Sequence, residues 1–211
     1  MTETPESAPS DQFRERLLDA MLELASETGW TMAGMEAAAK KAGLTKGQVL
    51  LATPHGVADL LEAFGQRAAK AAGARLGQPD IAALKIRQKV RAGAKAWLSA
   101  LNPHKAAVKR AVSTPANLLT GPKGLWTAAD AIWIALGDKS TDFNWYTKRT
   151  ILSGVLGSTL AAWIGTDDEA EVDAFLDRRI ENVMQFEKLK TQAKDAFAKM
   201  PDPMDLFGQR K

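Results

Sequence analysis

The sequence contains no cysteine and only two histidines, His55 and His104, among its 211 residues. The lack of cysteine excludes disulfide bonds, zinc ribbons and thiol nucleophiles. Two histidines cannot form a histidine-rich metal site, and a Ser-His-Asp triad would have to use one of them. We therefore expect no catalytic residues, no metal site and no cofactor.

No run of residues is long and apolar enough to predict a membrane span. The longest uncharged run, residues 150–166, has 17 residues and includes three glycines. A span needs about 20 mostly apolar residues, so this run predicts a buried helix. Residues 1–10 are polar and acidic, typical of neither a signal peptide nor a mitochondrial presequence, and we expect a disordered leader.

Charge is strongly segregated along the chain, although the net charge is only +3. Residues 1–60 carry a net charge of −4, residues 61–150 a net charge of +10, and residues 151–211 a net charge of −3. Between Arg67 and Arg110 the only acidic residue is Asp80. This stretch indicates either a surface for phosphates, an anionic membrane or an acidic partner, or the solvated faces of ordinary helices.

Apolar residues recur at spacings of three and four throughout the chain, which predicts an all-α fold of about nine helices. Thr31 and Thr45 are expected to cap helices, and Gly29 and Gly43 to end them. The predicted helices cover residues 11–27, 32–42, 45–52, 57–76, 79–101, a short stretch after 103, 125–136, 142–164 and 167–200. The expected units are the leader 1–10, a helix-turn-helix-like subdomain 11–60, a ligand-binding and dimerisation domain 61–187, and an amphipathic segment 188–211.

The first three helices, with Gly43 in the turn before the third, form a helix-turn-helix pattern. Residues 14–50 resemble the N-terminal domain of TetR-type regulators, and a long helical domain after it fits that family. Leu50, Leu51 and Ala52 stand where such regulators hold DNA phosphates, and apolar side chains cannot donate to phosphate oxygens. We therefore expect no DNA binding. The alternative, a ligand-responsive TetR-type DNA-binding regulator, predicts salt-dependent binding to a duplex.

Tryptophan is unusually frequent, and four of the six tryptophans lie between residues 126 and 163. Gly154 and Gly157 lie about one turn apart in the predicted buried helix. The missing side chains leave room either for a ligand cavity between helices or for close helix packing. If a cavity forms, the expected lining residues are Leu118, Leu119, Trp126, Trp145, Leu152, Val155, Leu156, Leu160 and Trp163.

Residues 137–149, Gly-Asp-Lys-Ser-Thr-Asp-Phe-Asn-Trp-Tyr-Thr-Lys-Arg, resemble the signature of the lipid-binding accessory proteins of ubiquinone biosynthesis. The similarity extends from about Arg14 to Met184. Members of that family are TetR-like homodimers that hold isoprenoid lipids in an apolar cavity and assist the di-iron hydroxylase of demethoxyubiquinone. The resemblance implies a non-catalytic protein that binds an isoprenoid lipid or quinone precursor. Within the motif, Lys148 and Arg149 are also suited to salt bridging.

The resemblance also implies a surface that faces the hydroxylase. Four residues match the family there: Pro115, Asn117, Asp130 and Trp133. Three alanines nearby depart from the family pattern: Ala116, Ala131 and Ala135.

Members of the family touch membranes through a C-terminal amphipathic helix. Here an apolar stripe with lysines beside it continues towards the C-terminus, as interfacial helices require. The expected membrane-binding residues are Leu189, Phe197, Met200, Leu206 and Phe207. The alternative is a helix that packs on its own dimer.

Together these features predict a bacterial cytoplasmic protein that associates peripherally with the inner membrane. Its expected partners are the lipid, the hydroxylase, the membrane surface and a second copy of the chain. A third class of function, a helical scaffold without a ligand, predicts that no lipid is bound.

Overall fold

The structure is a computed structural model that describes residues 8–114, 117, 121–141 and 143–198, without the side chains of 143 and 186–198. These residues form ten α-helices and one short 3-10 turn, with no strand among them, in an all-α, TetR-like architecture that confirms the predicted fold class. The helices are α1 Pro9–Thr28, α2 Met32–Lys41, α3 Lys46–Ala52, α4 Val57–Leu76, α5 Pro79–Ala82, α6 Ile86–Leu101, α7 Lys105–Val112, α8 Gly121–Ala135, α9 Phe143–Gly165 and α10 Glu169–Ala198.

The ends of the first three helices follow the predicted capping residues. The Thr31 hydroxyl accepts a hydrogen bond from the Gly34 amide at 3.0 Å. Thr45 caps α3, because its hydroxyl accepts from the Gln48 amide while its own amide donates to Gln48 Oε1. Gly43 follows α2 with a φ of +64°, a left-handed conformation that favours glycine. Local sequence therefore determines these boundaries.

Two arginines of α1 hold the C-terminal ends of α2 and α3. Arg14 Nε donates to the Ala52 carbonyl at 2.7 Å, and Arg16 Nη2 donates to the Ala42 carbonyl at 2.7 Å. These carbonyls lie at helix ends, where no amide of the same helix is available to them. The two guanidinium groups therefore fix the three helices of the helix-turn-helix relative to one another.

Two predicted helix boundaries are wrong. The single helix predicted over residues 79–101 is two helices, because Lys85 is extended, with ψ of 153°, and starts α6. The Lys85 amide donates to Gln88 Oε1 at 3.1 Å, which satisfies one of the free amides of the new helix start. Helix α8 begins at Gly121, four residues before the predicted Leu125, because Pro122 is compatible with a first helical turn.

Helix α4 lies at the centre of the fold and packs on α6 and α8. Its buried face includes Leu60, Phe64 and Ala68. Trp30, between α1 and α2, stacks on Phe64 with ring centroids 6.0 Å apart and donates from Nε1 to the Ala107 carbonyl at 2.9 Å. The helix-turn-helix is therefore joined to the rest of the chain through the core.

The basic stretch pairs largely with acidic residues of the same chain. Arg67 of α4 contacts Glu15 and Asp19 of α1, at 2.5 and 2.7 Å. Arg91 of α6 contacts Asp177 of α10 at 2.7 Å. Further pairs of the same kind are Arg75 with Asp80, Arg87 with Glu181, Lys95 with Asp173, and Lys105 with Asp167. The pairs of Arg67, Arg87, Arg91 and Lys95 therefore hold α1 and α10 against the middle of the chain.

Helix α9 begins seven residues before the uncharged run and contains all of that run except its last residue. It carries buried residues along its length, including Leu152, Leu156 and Trp163. In the described ranges no helix is both long and apolar enough to cross a bilayer.

Candidate functional site

An apolar cavity of about 840 Å³ lies between α4, α6, α7, the start of α8 and the second half of α9. Its volume falls within the range of about 300–1,000 Å³ typical of ligand sites. Large apolar side chains from five helices supply most of its wall. They are Leu61, Phe64, Trp97, Leu101, Val108, Leu125 and Leu160.

The exposed residues that line this cavity border its opening to the surface, and they include polar residues as well as Val112. His55 and Lys123 are exposed there, and Lys123 Nζ contacts Glu62 Oε2 at 2.6 Å. The His55 amide donates to Asp59 Oδ2 at 2.7 Å. The site therefore combines an apolar interior with a polar mouth, which suits an amphipathic ligand.

Close approach of helices at glycines shapes this space. A Cβ on Gly157 would lie 3.0 Å from Leu125 Cδ1, and a Cβ on Gly65 would lie 3.8 Å from Gly124 Cα. Gly157 thus lets α9 approach α8 at the cavity wall. Gly154, the other glycine of the predicted pair, faces open space. Only one of the two glycines singled out in the sequence contributes to the cavity.

The structure distributes the predicted lipid-binding residues over several environments. Leu160 lines the apolar cavity. Leu152 and Val155 line a second groove of about 320 Å³ between α6, α8, α9 and α10. Leu118 and Leu119 lie outside the described residues.

The other four predicted residues lie in the core or on the outer side of α8 and α9. Leu156 and Trp163 are buried. Trp126 and Trp145 are half-buried and meet edge to face, with ring centroids 5.7 Å apart. The exposed Tyr146 packs on Trp145 at 4.7 Å. These two tryptophans form an aromatic cluster outside the cavity.

Sequence reasoning missed the part of the cavity formed by α4, α6 and α7. Phe64, Trp97 and Val108 have the periodicity of ordinary core residues, and periodicity alone does not distinguish a filled space from an empty one. Gly65, a glycine in the middle of α4, is a signal, but Gly73 and Gly93 lie in α4 and α6 in the same way without lining the cavity.

A buried ion network joins the end of α8 to the first turns of α9. Arg149 is only 1% exposed; its Nε contacts Asp130 Oδ1 at 2.5 Å, and its Nη1 contacts Asp138 Oδ2 at 3.1 Å. Lys148 Nζ contacts Asp138 Oδ1 at 2.7 Å and also lies 2.7 Å from Ser140 Oγ. The Lys148 ammonium and the Ser140 hydroxyl hold the pKa of Asp138 well below its ordinary value.

Two tryptophan rings cover this network. Trp133 Nε1 donates to the Lys148 carbonyl at 3.2 Å, and Lys148 Nζ lies 5.4 Å from the Trp133 ring centroid. The Arg149 guanidinium lies 4.1 Å from the Trp145 ring centroid. Residues 137–141 and 143–149, which belong to the segment that carried the resemblance, therefore form a structural junction between α8 and α9.

The residues predicted to face the hydroxylase lie in two settings. Asp130 and Trp133 belong to the ion network, so the Asp130 carboxylate already has a partner within the chain. Asn117 lines the apolar cavity, and Pro115 lies outside the described residues.

The residues predicted to bind the membrane lie at or beyond the limit of the description. Leu189 and Phe197 belong to the backbone of α10, and their side chains are not described. Met200, Leu206 and Phe207 lie outside the described residues.

The fold and the site define a class of protein. It is all-helical and TetR-like, with an apolar cavity and a buried charge network. Residues 118–187, which contain α8, α9 and part of α10, match the sequence model of the COQ9 family. The predicted resemblance to the accessory family of ubiquinone biosynthesis is thereby confirmed, and the matched segment is about a third of the chain.

Relatives in several animals extend this similarity over most of the chain. The mitochondrial ubiquinone biosynthesis protein COQ9 of Rattus norvegicus is 28% identical over 197 residues, which cover 87% of this chain and 62% of the relative. The Homo sapiens protein of the same name is 26% identical over the same length, covering 87% and 61%. COQ9-A of Xenopus laevis is 35% identical over 72 residues, covering 33% and 23%.

The chain thus spans about 62% of the length of the rat relative. All three relatives carry names of ubiquinone biosynthesis proteins, so the alternative of a TetR-type regulator gains no support from them.

The first prediction concerns the ion network. The substitution D138N removes a carboxylate that is 5% exposed and leaves the buried Arg149 with one anionic partner. Breaking a buried ion pair from one side is strongly destabilising, so we expect the free energy of unfolding at neutral pH to fall by about 3 kcal/mol. Urea unfolding, followed by tryptophan fluorescence, measures this change.

The matched control is D80N, which removes a carboxylate from the exposed pair of Asp80 with Arg75. Since exposed pairs contribute little, D80N should leave stability almost unchanged.

The lowered pKa means that the Asp138 carboxylate stabilises the fold above about pH 4 and loses this effect as the pH falls through the folded-state pKa. The difference in the free energy of unfolding between wild type and D138N should therefore shrink in acid. An equal effect of both substitutions would contradict the prediction.

Proposed function

We propose that the protein is a non-catalytic lipid-binding protein of ubiquinone biosynthesis. It binds an isoprenoid lipid or quinone precursor in the apolar cavity and presents it to the di-iron demethoxyubiquinone hydroxylase at the membrane. It acts as a homodimer, peripherally attached to the cytoplasmic face of a bacterial inner membrane.

One observation carries this proposal: the segment that matches the COQ9 family also forms one wall of the cavity. Leu125, Gly157 and Leu160 lie within residues 118–187 and line that wall. An isoprenoid chain is apolar over its whole length, and the interior offers it large aliphatic and aromatic side chains. A family match and a suitable space thus fall on the same helices.

The arrangement of polar groups supports binding rather than catalysis. The ionisable residues of the cavity lie at its mouth, and Glu62 with Lys123 and His55 with Asp59 contact each other there. A quinone or phenol head group placed at this mouth would find hydrogen-bond donors and acceptors while its tail stays inside. The relatives are named as mitochondrial proteins, and the bacterial location is our own inference from the sequence.

The second prediction tests the cavity. The substitution L160W places a large ring in the wall of the cavity and should displace an isoprenoid tail. We expect wild-type protein, purified from cells that make ubiquinone, to carry isoprenoid or quinone species, and L160W to lose most of them. Organic extraction followed by mass spectrometry measures the bound lipid.

The control for added bulk is A161W, because Ala161 is exposed on the same helix and lies outside the cavity. A161W should retain the wild-type amount of lipid. The contrary result is a wild-type protein that carries no more lipid than an unrelated protein from the same cells. That result would disprove the proposed ligand and favour a scaffold without a ligand.

The third prediction concerns membrane attachment. Deletion of residues 188–211 removes the apolar stripe of the C-terminal segment and should abolish sedimentation with liposomes, because interfacial binding scales with buried apolar area. The buried residues of α10, Val172, Leu176 and Ile180, remain in the shortened chain and should preserve its helical circular dichroism. Undiminished sedimentation of a folded truncated protein would refute this role.

The fourth prediction concerns the hydroxylase. Ile134 follows Trp133 in α8 and is 62% exposed, so the substitution I134E changes the surface without disturbing the core. If the hydroxylase covers this surface, burying an unpaired carboxylate should weaken its binding at least about tenfold. Affinity capture of purified hydroxylase measures the loss, with L51E on exposed Leu51 of α3 as the control. Equal capture by I134E and wild type would exclude this surface.

A further inference from the structure

Three large apolar side chains are exposed together in the helix-turn-helix. Leu50 and Leu51 near the end of α3 are 69% and 56% exposed, and Met32 at the start of α2 is 57% exposed. Met32 lies beside the turn after α3, because a Cβ on Gly56 would be 3.4 Å from Met32 Sδ. We call these three side chains the apolar tip.

The apolar tip lies next to the mouth of the apolar cavity. Leu51 precedes His55 by four residues, so their Cα atoms are at most about 15 Å apart along the chain. His55 is exposed and lines the cavity, and Asp59, whose carboxylate accepts a hydrogen bond from the His55 amide, lines it too. The exposed apolar surface and the opening of the apolar site therefore occupy the same end of α4.

A basic residue lies beside the leucines of the apolar tip. Lys46 precedes Leu50 by four residues and therefore lies on the same face of α3. On α2, the exposed Glu36 follows Met32 by four residues and lies on the same face, and the exposed Lys40 lies one turn further along the helix. Leu50 and Leu51 beside Lys46 fit an anionic lipid surface, whose interface takes up apolar side chains while its head groups attract an ammonium group. A duplex offers no apolar layer for the leucines.

We propose that the apolar tip docks on an anionic bilayer and places the mouth of the cavity against the membrane. The third helix of the helix-turn-helix then acts as a membrane contact. An apolar ligand passes between bilayer and cavity with little exposure of its tail to water. The ligand transfer rests on the proposed lipid-binding function, whereas the docking itself can be measured without any ligand.

The chain contains no cysteine, so L50C introduces a single site for an environment-sensitive nitrobenzoxadiazole label. The labelled full-length protein is mixed with vesicles of phosphatidylethanolamine and phosphatidylglycerol. We expect the emission at position 50 to shift to the blue and to brighten, because the label enters the interface. The control is I134C, an equally exposed apolar site on α8, whose label should keep the emission it has in water.

The protein could sediment with the vesicles while the label at position 50 stays in water. This result would overturn the proposal and leave the C-terminal segment as the sole membrane contact. A shift at position 50 produced by duplex DNA but not by vesicles would overturn it in favour of DNA binding. A second variant, L50S/L51S, removes most of the exposed apolar area and should weaken vesicle binding about tenfold. Unchanged binding of this variant would also count against docking.

Lipid extraction separates failure of docking from failure of the proposed function. If the protein carries isoprenoid lipid but the label at position 50 stays in water, the docking is refuted and the proposed function is not. Protein without isoprenoid lipid, but with a blue shift at position 50, supports the docking and refutes the ligand.

Discussion

The buried guanidinium of Arg149 is the constraint on which the rest of the site depends. A charge taken out of water must be paired and hydrogen-bonded, and Asp130 of α8 and Asp138 of the following turn meet this need. The pairing fixes how α9 leaves the turn and how it packs on α8. Since these two helices supply Leu125, Gly157 and Leu160, the wall of the apolar cavity depends on an ion network that does not itself line the cavity.

Features that depend on neighbouring residues were predictable from the sequence, and features that depend on distant helices were not. Thr31, Thr45 and Gly43 mark helix ends through their own backbone preferences, and residues 137–149 form a recognisable segment. The break at Lys85 was missed because residues 79–101 have helical periodicity on both sides of it. The cavity of α4, α6 and α7 was missed because an empty space results from the distances between helices, which periodicity does not contain.

The segregation of charge has a structural explanation within the chain. The acidic N-terminal and C-terminal parts enclose a basic middle, and the structure pairs Arg67 with α1 and Arg91 with α10. Most such pairs are exposed and add little stability each, but together they select the arrangement in which opposite charges meet. Much of the basic stretch is therefore already neutralised. In the helix-turn-helix, Lys41 pairs with Glu23, and Lys40 and Lys46 remain as exposed charges for an external anion.

The arginine contacts of α1 have an evolutionary consequence. Arg14 and Arg16 hold the carbonyl ends of α3 and α2 through hydrogen bonds to main-chain oxygens. The geometry of the three helices is thus independent of the side chains that α3 carries on its outer side. Selection can replace that outer side completely, from phosphate-binding residues to leucines, without loss of the scaffold. The helix-turn-helix scaffold can in this way persist after the residues that bind DNA phosphates have been replaced.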